Sequence, residues 1–328
     1  MIRSLTNLCK HYKEYGFRCT WAYLLCMLLP YSEDKNGKWR RKIIQHKYTT
    51  LTDYLYRHYF QTPGNDRRHI PVESSYTNCI WTAWLQGEEN APEVIRITIA
   101  SMRRYANGHP VVVISNDNVD RYIDLPQTIK RKHESGVMGH AHYADVIRMM
   151  ILEKYGGLWL DATMLLHEPI PEEAFRRPFY SMGFRNTNGE KYISKNKWLV
   201  RVIGGEPNSV YLAQISRMLC GFWEEHNIAI DYFVFDYLVF ILYKYDDSFR
   251  SIINELPQME QFTNAMAKII NEPFDQRKIE ELYIQGQLYT LTYRKKYSRQ
   301  TAEGHMTFYG YLYNTFLQEP SKESDSDS

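Results

Sequence analysis

The stretch His142–Thr163 reads HYADVIRMMILEKYGGLWLDAT, and it is the most informative part of the chain. Its first part carries apolar residues at helical spacing and ends at Gly156-Gly157, where glycine can adopt the left-handed conformation that ends a helix. The apolar run Leu158–Leu160 then favours a short strand that ends at Asp161. The stretch therefore predicts a helix, a glycine turn and a strand with a carboxylate at its end.

Two charged residues of this stretch are three positions apart on the predicted helix. Asp145 and Arg148 therefore share a face and can pair or hold one ligand together. A carboxylate can accept hydrogen bonds from both hydroxyls of a ribose or sugar, and a guanidinium presents a planar fork to phosphate or sugar oxygens. Asp161 comes after an apolar run, where a charge is costly unless it binds a metal, hydroxyls or a basic partner.

Each of these residues also has a simpler interpretation when it is taken alone. Asp145 and Arg148 can form a surface ion pair worth a few tenths of a kcal/mol, and Asp161 can cap a turn. The functional interpretation is favoured because all three occur in one short helix, turn and strand unit. A sugar nucleotide is the ligand class that suits these side chains.

The preceding sequence predicts an α/β sheet. Cys79–Trp84 and Val111–Ile114 are β-prone runs, and Pro92–Tyr105 between them has apolar residues at helical spacing. A strand, helix, strand order predicts parallel pairing, with ligands at the carboxyl ends of the strands.

The chain divides into three predicted parts: a helical N-terminal region at 1–70, an α/β domain with a helical C-terminal part at 71–300, and a charged, serine-rich disordered tail at 319–328. Gln61–Arg68 has the composition of a linker. The later elements predicted from the sequence are strands near Phe179–Phe184, Trp198–Ile203 and Leu288–Tyr293, and helices at Ser209–Trp223 and Tyr232–Tyr245, with mostly helical structure from there to Gln285.

The amino-acid composition limits the classes of binding partner and the cellular compartment that the sequence predicts. Among 328 residues, 40 Lys and Arg balance 38 Asp and Glu, so no excess of positive charge predicts a nucleic-acid partner. The five cysteines are widely spaced and include no CxxC pair, so neither a disulfide framework nor a zinc site is predicted. This cysteine usage favours a reducing, cytoplasmic location.

The N-terminal region contains an apolar stretch, Trp21–Pro30, which is too short to span a bilayer. We interpret it as a packed helix. A second interpretation makes this region a basic amphipathic anchor, peripheral on the inner face of the membrane, because Lys38, Arg40, Arg41 and Lys42 come next in the chain.

The motifs resemble a known enzyme family. His142–Thr163 is similar to the donor-binding core of glycosyltransferases with a sugar-binding DXD motif. It more closely resembles the capsular polysaccharide synthesis family, whose members share (S/A)D-x-(L/I)-R…L-x-KYGG-x-W-x-DAT. The resemblance covers Pro71–Lys295, and the other similar blocks are Ile80–Gly87, Ala91–Glu93, Asn118–Pro126, Asp231–Tyr237 and Leu291–Lys295.

This resemblance implies a GT-A-like (Rossmann-like) nucleotide-sugar-binding sheet flanked by N- and C-terminal helices. It also implies a retaining hexosyltransferase that uses a UDP- or GDP-sugar donor and a glycan or lipid-linked acceptor in cell-surface polysaccharide synthesis. By the same resemblance, Trp81, Thr82 and Trp84 lie near the nucleotide base. Asp145 and Arg148 hold ribose and donor sugar.

A divalent cation, Mn²⁺ or Mg²⁺, is also implied, with Asp161 facing the ion and the diphosphate; Asp161 and Arg148 are the implied catalytic residues. The chain departs from the DXD pattern because Thr163 stands where the second carboxylate is expected, which puts the metal dependence in doubt. Asp231 and Asp236 are candidates for the remaining metal ligands, since they are two carboxylates in an otherwise aromatic stretch. They are equally well explained as a helix N-cap and a helix surface charge.

Two other functions stay open on the sequence. The substitution by Thr163 fits a non-catalytic protein that binds sugar nucleotides or glycans. A toxin-like glycosyltransferase acting on proteins shares the same core, and the lack of a recognisable export signal argues against it.

Overall fold

The computed structural model describes residues 2–28, 37–60, 76–185, 192–259 and 264–318. The predicted linker Gln61–Arg68 and the predicted tail at 319–328 lie outside the described residues.

Helices make up most of the described chain. Those of α-helical form are α1 (Ile2–Leu28), α2 (Lys38–Leu55), α3 (Glu93–Arg104), α4 (Gln127–Glu134), α5 (His140–Tyr155), α6 (Glu173–Arg176), α7 (Val210–Glu225), α8 (Val234–Tyr245), α9 (Asp247–Asn254), α10 (Ala265–Ile269), α11 (Gln276–Gln285) and α12 (Phe308–Phe316).

Eight short strands accompany them in the described chain. They are β1 (Ile80–Ala83), β2 (Val111–Ile114), β3 (Gly157–Leu160), β4 (Met164–Leu166), β5 (Gly183–Phe184), β6 (Val202–Gly205), β7 (Gln258–Met259) and β8 (Leu288–Thr290).

The central sheet has the strand order β2-β1-β3-β6. β1 pairs in parallel with β2 and with β3, and β6 closes the edge in antiparallel orientation beside β3. The smaller pairs β4-β8 and β5-β7 lie outside it. The predicted parallel pairing in an α/β sheet with flanking helices is therefore confirmed, and β6 makes the sheet a mixed one.

The strand-helix-strand unit at the start of the sheet forms as its pattern indicates. α3 buries Val94, Ile95, Ile97 and Met102, the positions whose spacing predicted it, and it connects the parallel strands β1 and β2. Because α3 crosses from the end of β1 to the start of β2, both strands point their carboxyl ends to the same edge.

Several boundaries differ from prediction. The strand predicted at Trp198–Ile203 starts only at Val202, because the preceding residues form a turn that is fixed by side-chain contacts elsewhere. β4, α4, α6 and α12 have no predicted counterpart, and β7 lies in a segment predicted to be mostly helical. α12 lies beyond residue 300 and still belongs to the folded domain, since its buried Phe308 and Leu312 share a hydrophobic cluster with Ile95 and Ile97 of α3.

The N-terminal helices pack onto the C-terminal ones. His11 contacts the Ile230 carbonyl oxygen through Nε2 at 3.0 Å, and the Tyr15 ring stacks on Phe222. α1 is kinked at Gly16, where φ is 72°. None of the described helices has both the length and the hydropathy that crossing a bilayer requires.

Candidate functional site

The double glycine brings the end of α5 against the sheet. Gly156 and Gly157 have φ of 64° and 92°, the left-handed region that favours glycine. A Cβ atom on Gly157 would lie 2.3 Å from the carbonyl oxygen of Cys79, just before β1. The turn therefore needs glycine for its conformation and for the close approach of β3 to β1, and this approach sets where Asp161 emerges.

Arg148 is at the centre of the candidate site. Its Nη2 donates to Asp161 Oδ1 at 2.6 Å, and its Nη1 lies 3.3 Å from Asp145 Oδ1. Nη1 also donates to the carbonyl oxygen of Val200. The side chain is only 4% exposed. The three residues that the sequence singled out therefore meet, since one guanidinium contacts both carboxylates.

Two aromatic rings flank the Arg148 guanidinium. Its Cζ lies 5.1 Å from the ring centre of Trp159 and 5.4 Å from that of Phe235. This distance range allows cation–π attraction, which restricts the guanidinium further. The Nε atom is buried and has no hydrogen-bond partner among the described residues.

Asp161 is the most exposed of the three, with 28% of its side chain accessible. Both hydrogen bonds to its carboxylate, from Arg148 and from Trp159 Nε1 at 2.9 Å, use Oδ1. No hydrogen bond from a described side chain reaches Oδ2. Asp161 thus has one oxygen held by the protein and one available for a ligand.

Asp145 lies beside a histidine of the same helix. His142 Nδ1 is 3.8 Å from Asp145 Oδ2, beyond hydrogen-bonding distance, and this buried nitrogen has no hydrogen-bond partner in the described part of the chain. The imidazole sits near the rings of Trp223 and Tyr232, and Tyr232 is 67% exposed. The outer side of Asp145 therefore has an unsatisfied polar atom and an exposed aromatic ring nearby.

Asp236 adds a third carboxylate to the surroundings of Arg148. Its Oδ1 accepts a hydrogen bond from Trp198 Nε1 at 3.0 Å. Desolvation raises the pKa of Asp236 to about 7, and the Asp145 charge acts in the same direction, while the hydrogen bond from Trp198 and the charges of Arg148 and Arg201 oppose them. A carboxyl group that titrates near neutral pH is typical of functional sites.

Arg201 is a site residue that the sequence did not indicate. Its carbonyl oxygen accepts a hydrogen bond from the Asp161 backbone at 3.0 Å, and its Nη1 donates to Thr290 Oγ1 at 3.1 Å. The side chain is half-buried. No spacing signal could reveal it, because only the antiparallel pairing of β6 with β3 brings it next to Asp161.

The residues predicted to lie near the base occupy different environments. Trp81 is fully buried and its Nε1 donates to the Gly156 carbonyl oxygen at 3.0 Å. Thr82 is also fully buried, and its Oγ1 has no partner among the residues described. Trp84 is half-buried just past β1, with an unpartnered Nε1 and with the 45% exposed Tyr293 ring at 5.2 Å. Of the three, Trp84 alone has a partly exposed surface.

The residues predicted as metal ligands do not form one cluster. Asp231 is 5% exposed, pairs with Lys47 at 2.7 Å and accepts a hydrogen bond from the Phe233 backbone at 3.0 Å. Asp236 is held by Trp198. Within the described ranges, no three His, Cys, Asp or Glu side chains are placed to hold one ion.

Thr163 lies two residues after Asp161, in the turn before β4. Its side chain is half-buried, and its carbonyl oxygen accepts the Leu291 backbone N–H at 2.9 Å. This bond continues the β4-β8 pairing and places the segment that carries Tyr293 beside the turn. The turn after Asp161 and the end of β8 therefore lie side by side.

A separate open depression lies along α4. Its lining residues are Thr128, Arg131, Lys132, Glu134, Ser135, Val137 and Asn227. None of them belongs to the cluster around Arg148, and the depression carries no carboxylate pair of that kind.

Comparison with known proteins agrees with the motifs. The family described as capsular polysaccharide synthesis protein matches residues 32–312. The chain is 31% identical over 105 residues to glycosyltransferase afumC of Aspergillus fumigatus (strain CBS 144.89 / FGSC A1163 / CEA10), an alignment that covers 29% of this chain and 27% of afumC. It is 26% identical over 113 residues to the O-glycosyltransferase PaGT of Phomopsis amygdali, which covers 32% of this chain and 28% of PaGT.

Both alignments thus span less than a third of either protein. Among solved structures, the PaToxG glycosyltransferase is similar with a TM-score of 0.40 and 13% identity, covering 78% of this chain and 100% of that one.

Proposed function

We propose, from the premise that this chain belongs to the family of capsular polysaccharide synthesis proteins, that it transfers a sugar from a nucleoside diphosphate donor to a glycan or lipid-linked acceptor. The observation that carries the proposal is the Arg148 guanidinium, which is buried and shared by Asp145 and Asp161 at the carboxyl edge of a parallel sheet. Ligands of open α/β sheets bind at this edge, and the GT-A type of this fold is proposed from the family resemblance.

The two carboxylates bind the donor in this proposal. Asp161 Oδ2 and the Asp145 carboxylate accept hydrogen bonds from hydroxyls of the donor sugar and ribose. Arg148 orients both carboxylates, and its Nη1 and Nη2 groups are used within the protein. We therefore regard Asp161 as the residue that touches the substrate and Arg148 as a positioning residue.

The departing diphosphate needs positive charge as the glycosidic bond breaks. Arg201 is the best-placed cation, since it is half-buried beside Asp161 and its guanidinium contacts only a neutral hydroxyl among the described side chains. Arg148, by contrast, is already neutralised by two carboxylates.

A divalent cation fits Asp161 best of the three predicted ligands. Asp161 has a carboxylate oxygen without a hydrogen-bond donor among the described side chains and joins Asp145 at the Arg148 guanidinium. Asp231 uses both oxygens within the protein, and Trp198 holds one oxygen of Asp236. A bound Mg²⁺ or Mn²⁺ would supply Lewis-acid neutralisation of the diphosphate. We propose that most of its ligands come from the donor and from water.

The nucleobase is proposed to stack on the Tyr293 ring, with the Trp84 ring nearly perpendicular beside it. Both rings are partly exposed, Tyr293 at 45% and Trp84 at an intermediate level, and their centres are 5.2 Å apart. Base-on-aromatic stacking is worth about 1–3 kcal/mol per base and tolerates different bases. This arrangement accepts UDP or GDP as the carrier.

A retaining hexosyl transfer is the reaction that we propose from the family resemblance. The residues of the site bind, orient and neutralise charge, and we assign none of them as a covalent nucleophile. Positioning of this kind can by itself supply a large part of a rate enhancement.

The experiment is a donor-hydrolysis screen. Purified protein is incubated with UDP- and GDP-sugars, with Mn²⁺, with Mg²⁺ and with chelator, and released nucleotide is measured. We expect turnover of one donor class. Asp161→Asn should abolish this turnover. Asp124→Asn, which changes an exposed aspartate outside the site, should leave it unchanged.

A non-catalytic sugar-nucleotide-binding function is the second candidate, since the described residues form no three-ligand metal site and Thr163 replaces a carboxylate. Calorimetry separates the two. Donor binding that is indifferent to metal, without turnover on any glycan acceptor, would replace the transferase proposal by this one.

A further inference from the structure

The second half of α1, after the kink at Gly16, carries apolar residues on two opposite faces. One face is buried against the rest of the protein: Cys19 is 3% and Ala22 is 0% exposed. Tyr23 on the same side stacks on His11, and Cys26 donates to the Ile43 carbonyl oxygen of α2 at 3.7 Å. The contacts of this face hold the second half of α1 in the fold.

The other face is apolar too and has no cover among the described residues. Phe17, Trp21 and Leu28 are 67%, 45% and 68% exposed, and the half-buried Leu24 lies between them. At about 100° per residue, these four positions form one stripe, roughly opposite Cys19 and its neighbours. The Phe17 and Trp21 rings stack at 6.0 Å. We call these four residues the outer stripe of α1.

Further exposed apolar side chains lie in the same region. Trp39, at the start of α2, is 74% exposed, and Lys42 Nζ lies 5.3 Å from its ring centre. Six of the fifteen exposed large hydrophobic residues of the described chain fall within residues 12–39. A group of exposed apolar residues on one helix face, such as the outer stripe, indicates an interaction surface, whereas single scattered residues need no explanation.

Positive charge is concentrated in the same segment. Residues 1–60 contain eleven Lys and Arg and four Asp and Glu, a net charge of +7, while the whole chain has +2, so the remainder has −5. The exposed basic side chains of α1 and the first turns of α2 are Lys10, Lys13, Arg18, Lys38, Arg41 and Lys42.

We infer that the outer stripe of α1, together with Trp39 and the surrounding lysines and arginines, docks onto the surface of a membrane that contains anionic lipids. Exposed Trp and Phe suit the depth of the headgroups, and basic side chains are attracted to anionic lipids by about 1 kcal/mol each. Neither signal alone gives firm attachment, whereas an apolar stripe and a basic patch together do.

A second copy of the chain is a poorer occupant of this surface. A symmetric dimer would place the same positively charged segment against itself, and this repulsion would oppose association. A bilayer with negative headgroups complements the charge and covers the apolar stripe at once. This inference rests on α1 and α2 and is independent of the proposed transferase activity.

Vesicle sedimentation tests the inference. Full-length protein is mixed with vesicles of phosphatidylcholine alone or with added phosphatidylserine. We expect binding to the vesicles with phosphatidylserine, weakened by salt. The double variant Phe17→Gln/Trp21→Gln should lose binding roughly tenfold or more, because it removes the aromatic part of the apolar anchor.

The control is Ile284→Gln, a change at an 86% exposed apolar residue of α11, which should leave vesicle binding unchanged. Each variant's release of nucleotide from donor in solution reports separately on the proposed activity, and we expect it to be unchanged. Equal vesicle binding by the wild type and the double variant would overturn the inference. So would a wild-type dimer in light scattering that the double variant abolishes, without vesicle binding.

Discussion

The Arg148 guanidinium donates to Asp161 and lies against Asp145, between the rings of Trp159 and Phe235. Two carboxylates and two aromatic faces therefore depend on one planar, charged group. Its geometry matters as much as its charge, because a lysine ammonium cannot contact both carboxylates from a fixed plane.

For this reason Arg148→Lys should lower donor turnover about 100-fold, the effect that a displacement of about 1 Å can have on a reacting geometry. Steady-state nucleotide release measures it. Arg103→Lys, at an exposed pair with Glu88, is the matched control and should change little. Turnover of Arg148→Lys close to that of the wild type would contradict the positioning role.

Asp236 makes stability depend on pH in a particular direction. Its pKa is raised from 3.8 to about 7, so between these values the folded protein holds a proton that the unfolded chain has lost. The protonated Asp236 carboxyl therefore contributes to the free energy of unfolding. This contribution is present in full below pH 3.8 and is lost as the pH rises through about 7.

Asp236→Asn removes this titration while its amide oxygen can still accept from Trp198. We expect the free energy of unfolding of the wild type, relative to this variant, to fall as the pH is raised from about 4 to about 7. Urea denaturation at a series of pH values measures the difference. A difference that stays constant over this range would show that the pKa of Asp236 is not raised.

At the scale of elements, the turn between α5 and β3 couples the helix that carries Arg148 to the strand that delivers Asp161. Gly157 faces the Cys79 carbonyl oxygen and the Trp81 indole, so β1 and β3 meet without an intervening side chain. The parallel pairing of Trp81 with Trp159 then fixes the register in which Asp161 leaves the sheet.

Gly157→Ala should destabilise the protein and lower donor turnover together. The left-handed conformation costs about 1–3 kcal/mol for a non-glycine residue, and the clash with the Cys79 oxygen adds to it. Gly108→Ala is the control, since Gly108 has φ of 83° but open space around it. Urea denaturation and turnover should show a larger loss for Gly157→Ala; equal losses would refute the close-approach argument.

For the whole molecule, α1 and α2 are integrated with the C-terminal helices rather than attached loosely to them. Lys47 of α2 pairs with Asp231, which precedes α8, at 2.7 Å, and their side chains are 15% and 5% exposed. Tyr59 and Glu14 add hydrogen bonds to Glu225 and His226 at the end of α7.

Lys47→Met should therefore cost about 1–3 kcal/mol of unfolding free energy, because it leaves the buried Asp231 carboxylate without its cation. Lys130→Met, which breaks an exposed pair with Asp120, should cost at most about 1 kcal/mol. Denaturant unfolding compares them. Similar costs for both would mean that the N-terminal helices do not rely on this ion pair.

Local pattern by itself determined α5, the glycine turn, β3, the parallel pairing of β1 with β2 and the meeting of Asp145 with Arg148. Helical spacing, the conformational freedom of glycine and strand-helix-strand order act over few residues and can be recognised in any chain. Packing alone decided which distant residues meet. Asp231 pairs with Lys47, 184 positions away, and Trp198 holds Asp236. Arg201 lies beside Asp161, and the outer stripe of α1 stays uncovered by the described residues. These contacts join residues from distant parts of the chain, and no local spacing encodes which of several similar side chains will meet.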